Sequence, residues 1–273
     1  MAQIKKNKNE MSFLEHLEDL RWHIIRVVLV ITFLSIYFLF NRDVLFEQMI
    51  FAIQNPDFPT YRFFCFLGDK LNTPALCINP EEFQLQPKEL TSQFMLYIKM
   101  SFACGFILSF PYILWEVWRF VRPALYKNEM KSLGGIVFLS ALLFYVGAFF
   151  GYYLLAPLSI NFLVGFQLTD SMLREYSIDS FLSILSGMVL WSGVMFEIPM
   201  IAYFLAKLGL LGKNFMANNR KYAFVASLIL AAIITPSGDV FSLSLVAFPL
   251  WLLYEVSIVV VSRVEKKKNI EST

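Results

Sequence analysis

Charged residues make up only 16% of this 273-residue chain, against about 25% in an ordinary soluble domain. That shortage comes with 58% hydrophobic and 17% aromatic residues and a mean hydropathy of +0.60. It argues against a water-soluble globule, and more strongly against a disordered chain. The net charge of +2 is too small for a nucleic-acid binder, so any electrostatic role is local. Two histidines and three cysteines leave little for a metal site, and neither C-x-x-C nor H-x-x-x-H occurs. No metal and no cofactor are therefore expected. A cleavable leader is not expected either: Glu10, Glu15, Glu18 and Asp19 precede the first apolar stretch, and no small-residue cleavage site follows a short apolar core. The class left is a membrane-embedded protein.

Long apolar runs are what the chain has in abundance. A hydrocarbon core of roughly 30 Å takes about 20 apolar residues in a helix. Six stretches meet or approach this, at about 22–40, 94–115, 133–155, 181–206, 222–235 and 240–261, with a loop at 41–93 after the first. They predict an all-α, polytopic membrane protein forming a single integral domain over 1–273. The last two, joined by Pro236-Ser237-Gly238-Asp239, are short: Tyr222–Thr235 makes roughly 21 Å of helix, and Val240–Tyr254 before Glu255 scarcely more. Such a hairpin thins the bilayer or is shielded by a partner, unless Lys221 and Glu255 snorkel and the true boundaries lie further out.

Basic residues set the orientation. With the N-terminus inside, the inner segments hold 16 of the 23 lysines and arginines, among them Lys5, Arg119, Arg122, Lys213 and Lys268. The outer side keeps Arg42, Arg62, Lys70, Lys88 and Arg174. Both termini are expected inside, with Trp22, Trp115 and Trp118 at the inner interface and Tyr152 and Tyr153 at the outer one.

Three acidic positions stand out. Ser12-Phe13-Leu14-Glu15 has the form of a capping box, and Glu15, Glu18 and Asp19 then share one helix face. Glu15 and Asp19 repel at i,i+4 and favour a nearby cation, although a capped, solvated face explains them as well. Glu129 follows Pro123 in an inner loop, with Phe120, Leu125 and Tyr126 as a groove wall and Lys127 and Lys131 as neighbours that fit a solvated charge equally. Glu197 lies about sixteen residues into the fourth stretch, roughly 24 Å from its outer end. A carboxylate there costs a few kcal/mol and is a functional candidate by default; a protonated side chain hydrogen-bonded in the bundle is the plainer alternative. Lys99 sits at a different depth, and Pro199 frees a backbone carbonyl in the turn before it. Cys65 and Cys77 share the outer loop, where a disulfide is one of two open states, and Cys104 belongs to the core.

Four motifs in order resemble one family. His16-Leu17-Glu18-Asp19-Leu20-Arg21 resembles the H-L-x-E-L-R signature of the TatC family of twin-arginine translocase receptors. Phe120 to Glu129 is similar to its F-x-x-P-A-L-Y-x-x-E loop, and Phe196-Glu197-Ile198-Pro199 to its F-E-x-P. Thr235-Pro236-Ser237-Gly238-Asp239-Val240-Phe241-Ser242 resembles its T-P-x-D-x-x-S turn, with Gly238 as an extra residue. Asp19 stands where the family usually has Glu, and Leu243 where it often has a polar residue.

The resemblance implies a concave, glove-like bundle with both termini inside, in the bacterial cytoplasmic (inner) membrane. It implies binding of the twin-arginine signal peptides of folded cargo, with Asp19 and Glu129 holding the two guanidiniums and Phe120 lining the site. It implies Glu197 as a buried polar site in the membrane cavity, and Thr235, Pro236 and Asp239 as an outer turn that contacts a partner. Implied partners are TatA-like and TatB-like single-span proteins and the lipid bilayer, with self-association left open. The residue pattern alone also admits a proton-coupled transporter or channel using Glu197, but the rest of the midplane is almost wholly apolar. An enzyme is not expected, because no Ser–His, paired Asp or His–Glu constellation is predicted within the spans.

Overall fold

The computed structural model describes residues 13–73, 77–78, 80, 83–121, 133–166, 175–235 and 239–271. Five stretches in it are long and apolar enough to cross a membrane: Leu17–Phe40, Ser92–Phe120, Gly135–Gly165, Ile178–Lys207 and Val240–Lys268. They are helical because hydrocarbon offers no partner to a free N–H or C=O, so each segment must close its hydrogen bonds internally. The chain is a membrane protein.

The first two crossings are α1 (Phe13–Phe40) and α3 (Ser92–Val121), longer than predicted at the ends where they pass beyond the apolar stretch. Between them come a π-helical turn at Val44–Ile50, a 3-10 turn at Phe51–Gln54 and α2 (Pro59–Leu71). The third crossing is α4 (Leu133–Phe150), continued without a break by a π turn at Gly151–Leu155 and by α5 (Ala156–Gly165). The predicted end at Leu155 is thus ten residues early. Pro157 can follow because its missing N–H is replaced: the Thr60 hydroxyl of α2 donates to the Tyr153 carbonyl. The fourth crossing is broken into α6 (Ile178–Met195) and α7 (Ile198–Lys207) at Phe196-Glu197.

The last pair differs most from expectation. Only α9 (Arg220–Ile234) is short, 15 residues or about 22 Å. It follows the short α8 (Lys213–Asn218), and it falls short of the length that marks the five crossings. In contrast, α10 (Val240–Glu271) runs for 32 residues, so Glu255 is not a helix end. Its carboxylate is met from the side by Arg220 of α9, Nη2 to Oε2 at 3.0 Å, which lets the helix carry it onward. Pro249 inside α10 forfeits one backbone hydrogen bond without ending the helix.

Small residues let these helices approach. A Cβ on Gly147 of α4 would lie 2.6 Å from the Ser192 carbonyl oxygen and 2.7 Å from Phe196 Cβ. One on Gly193 would meet the Phe144 ring at 2.7 Å, and that ring is itself stacked on Phe110 of α3, centroids 3.4 Å apart. Close packing of this kind substitutes for the hydrophobic drive that lipid removes. Phe144, Leu182 and Met188 are fully buried there, in a core shared by α3, α4 and α6. A second, smaller core of Ala202, Ala206, Met216, Ile258 and Val261 joins α7, α8 and α10. The strands β1 (Gln84–Gln86) and β2 (Glu175–Ser177) pair in parallel, Leu85 opposite Tyr176.

Overpacking the α4–α6 crossing should be measurable. Gly147→Leu is expected to cost about 1–3 kcal/mol, read as a lower thermal midpoint in detergent. Gly187→Ala, whose new Cβ meets nothing within 4 Å, should leave the midpoint unchanged or raise it.

Candidate functional site

Where α1 starts and α3 ends, the two antiparallel helices are fastened by a carboxylate. Glu116 of α3 is 2% exposed, and three side chains converge on it. His23 of α1 hydrogen-bonds Oε2 through Nδ1, and Arg26 donates from Nη1 to Oε1 at 3.3 Å and to Oε2 at 3.4 Å. Tyr112, one turn back on α3, donates its phenol to Oε1 at 2.8 Å. Each carboxylate oxygen is thereby partnered, which a buried carboxylate requires. At the far ends of the same two helices the Tyr97 hydroxyl donates to the Leu39 carbonyl. The sequence reading expects no His–Glu constellation within the spans; the structure corrects this, since His23 meets Glu116 inside the Ser92–Phe120 crossing. Spacing held part of the signal: His23 and Arg26 are three apart on α1, and Tyr112 and Glu116 four apart on α3. That the two faces meet is a tertiary fact that neither spacing contains.

Two of the sequence-predicted residues flank this cluster. Phe120 lies one turn beyond Glu116, and its ring meets His23 edge-on, centroids 5.9 Å apart at 69°. Asp19 lies one turn before His23 and is exposed. The helical rise puts each about 6 Å along its helix from the clamp. Asp19 and Phe120 thus stand on adjacent helices whose separation Glu116 governs. Glu129 falls outside the described residues, so Asp19 and Glu129 are not seen together.

Glu197 sits elsewhere, at the break between α6 and α7. It is 7% exposed, its Oε1 has no hydrogen-bond partner among the described residues, and Ser140 on α4 is a hydrogen-bonding companion of its carboxyl group. The break has a local cause. Pro199 has no N–H for the Met195 carbonyl, and the Glu197 carbonyl instead takes the amides of Met200 and Ile201, both at 2.9 Å. Beside it, Phe196 lines two adjoining apolar grooves along α10, of about 670 and 590 Å³. The carboxyl group therefore lies beside a largely apolar surface in which Tyr203 and Ser244 are the polar lining residues.

The predicted outer turn has a structural job. Asp239 Oδ1 accepts the Ser242 amide at 2.6 Å, as the N-cap of α10, while the buried Thr235 hydroxyl donates to the Ala231 carbonyl at 2.8 Å and closes α9. Pro236 lies outside the described residues. Cys65 and Cys77 are joined by a disulfide, and Cys104 is buried and free. No group of three or more metal-binding side chains occurs among the described residues.

Removing the Glu116 carboxylate leaves His23 and Arg26 without their shared acceptor. Glu116→Ala is expected to cost about 1–3 kcal/mol, at the lower end because the Arg26 side chain is 37% exposed. Glu116→Gln, which keeps an acceptor for Tyr112, should cost less. Thermal unfolding in detergent would rank the two.

With this geometry in view, the likeness to known proteins is extensive. The family model described as Sec-independent protein translocase protein (TatC) matches residues 15–249. A protein of that name from Blattabacterium sp. subsp. Periplaneta americana (strain BPLAN) is 37% identical over 267 residues, covering 97% of this chain and all of the relative. One from Aquifex aeolicus (strain VF5) is 34% identical over 95% of this chain and 98% of its own length. A crystal structure of the twin-arginine translocase receptor TatC in DDM superposes with a TM-score of 0.71 at 33% identity, covering 89% of this chain and 98% of that one. The chain belongs to the TatC family of Sec-independent protein translocase proteins.

Proposed function

We propose that this protein is the receptor subunit of a twin-arginine translocase, binding the paired-arginine signal peptides of folded cargo. The observation that carries the reading is the exposed Asp19 and the ring of Phe120, held on two helices by the buried Glu116 cluster. A carboxylate on one helix and an aromatic ring on its neighbour suit guanidinium, which pairs bidentately and stacks, whereas an ammonium copies neither geometry. Glu129 would supply the second carboxylate, one for each arginine. In this reading no bond is made or broken by the chain; it recognises and assembles.

The topology proposed with it has six membrane-traversing segments, both termini in the cytoplasm and a concave bundle in the inner membrane. In it α9 is the fifth, added to the five long crossings, and at about 22 Å it thins the bilayer beside it. Glu197, buried with a free oxygen beside largely apolar grooves, would meet a polar group on the membrane helix of a TatA-like or TatB-like partner. An unpaired polar group in hydrocarbon is worth satisfying across helices.

Two experiments test the assignment. An Arg-Arg signal peptide should bind the purified protein in detergent more tightly than its Lys-Lys variant, and the Asp19→Asn, Glu129→Gln double variant should lose that preference. Equal binding of the two peptides to the wild type would contradict the reading. In cells, Glu129→Ala should abolish export while the protein stays in the membrane. Glu197→Ala should leave signal binding nearly intact and block a later step; loss of initial binding would move Glu197 into the recognition site.

A further inference from the structure

Signal-peptide recognition at the Glu116 end makes no use of α2, although this helix is docked on the third crossing and carries an unusual surface. Its inner face is buried through Thr60, Tyr61 and Gly68. Its outer face exposes Arg62, Phe63, Phe66, Asp69 and Lys70, with Phe63 59% and Phe66 57% exposed. Two phenylalanines held out on a 13-residue helix would each forgo a good part of the ~1.5–3 kcal/mol that full burial brings if water were their solvent.

Three observations identify another solvent. The first is depth. Phe58, the residue before α2, packs on Tyr152 and Tyr153 with centroids 5.6 and 5.5 Å away, and the Thr60 hydroxyl holds the Tyr153 carbonyl. From Gly135 to Tyr153 the third crossing climbs about 27 Å, close to the roughly 30 Å thickness of the hydrocarbon. Beyond Tyr153 the helix continues into α5, where Ala156 to Ile160 are buried in protein, so α2 starts about one hydrocarbon thickness from Gly135, where the lipid-facing flank of the crossing gives way to protein. The second is the flank on which the helix docks. Phe149 and Tyr153 are exposed on that crossing, which lipid covers in a membrane protein, and α2 is attached there through Phe58 and Thr60. The third is charge. Arg62 and Lys70 border the aromatic pair, Lys70 Nζ lying 5.1 Å from the Phe66 ring centroid, and Asp69 leaves the face one net positive charge.

We propose that α2 lies in the membrane interface on the side away from the start of α1 and binds anionic phospholipid. Phe63 and Phe66 enter the acyl boundary, while Arg62 and Lys70 reach up to the phosphates, as amphipathic interfacial helices and snorkelling cations do. The Cys65–Cys77 disulfide ties the middle of the helix to the chain that follows it, so the face is presented preformed. Each basic residue near an anionic surface adds attraction that a zwitterionic lipid does not return.

The test uses the full-length protein in nanodiscs of phosphatidylglycerol and phosphatidylcholine in equal parts. Trace photoreactive analogues of either lipid, with the reactive group near the headgroup, are activated and the labelled peptides mapped by mass spectrometry. Residues 58–71 should be labelled several-fold more by the phosphatidylglycerol analogue than by the phosphatidylcholine one. Arg62→Gln with Lys70→Gln should bring the two to the same level, and Phe63→Ser with Phe66→Ser should lower both. Absence of label from 58–71 in the wild type, or equal labelling by the two lipids, would overturn the proposal without recourse to any variant. Label from lipid at 58–71 that persists unchanged in the charge variant would overturn the roles of Arg62 and Lys70.

Discussion

A carboxylate enclosed between two helices needs every one of its neighbours, and Glu116 is such a group. Its oxygens are shared among His23 and Arg26 of α1 and Tyr112 of α3, so the start of α1 cannot leave α3 without stranding a charge. At the opposite end the same two helices are held by one phenol, Tyr97, which donates to the Leu39 carbonyl and reaches the Phe38 carbonyl at 3.4 Å. Between these fastenings the contact is close, with Gly105 of α3 set against Ser35 of α1. The surface presented at the Glu116 end, with Asp19 on one helix and Phe120 on the other, inherits its geometry from that cluster.

The backbone shows the same economy in its prolines. Each proline inside a crossing leaves a carbonyl without its helical amide, and hydrocarbon cannot supply one. At Pro157 the Thr60 hydroxyl fills the gap at Tyr153 and, in doing so, docks the loop helix α2. At Pro199 the helix breaks, and Glu197 is the residue at the break. Pro157 and Pro199 thus mark places where something else is brought in, a loop at one and a buried carboxyl group at the other, whereas Pro111 and Pro249 lie inside α3 and α10 without ending either helix.

Much of the architecture is legible in the apolar runs, because a helix long enough to cross a membrane declares itself by length. What fails is the reading of single charges. Glu255 looks like a boundary, yet α10 passes through it because Arg220 arrives from the side. The end predicted at Leu155 ignores Pro157, whose cost is met from residue 60, far away in sequence. Glu116 passes unnoticed beside Trp115 and Trp118 for the same reason: its role depends on which face of α1 it meets. The Phe196-Glu197-Ile198-Pro199 break, by contrast, is local and can be read from its proline. Asp239 and Ser242 stand in a turn motif, and the structure gives them a capping bond that the motif alone does not reveal.

The central claim is that the Glu116 cluster positions a guanidinium-selective surface and does not merely hold two helices together. The measurement that separates these roles is the ratio of Arg-Arg to Lys-Lys peptide affinities in Glu116→Gln, beside its thermal midpoint. Positioning predicts a collapse of the ratio toward unity in a protein that still unfolds cooperatively near the wild-type temperature. A ratio equal to that of the wild type in a destabilised protein would reduce Glu116 to a structural fastener and contradict the account.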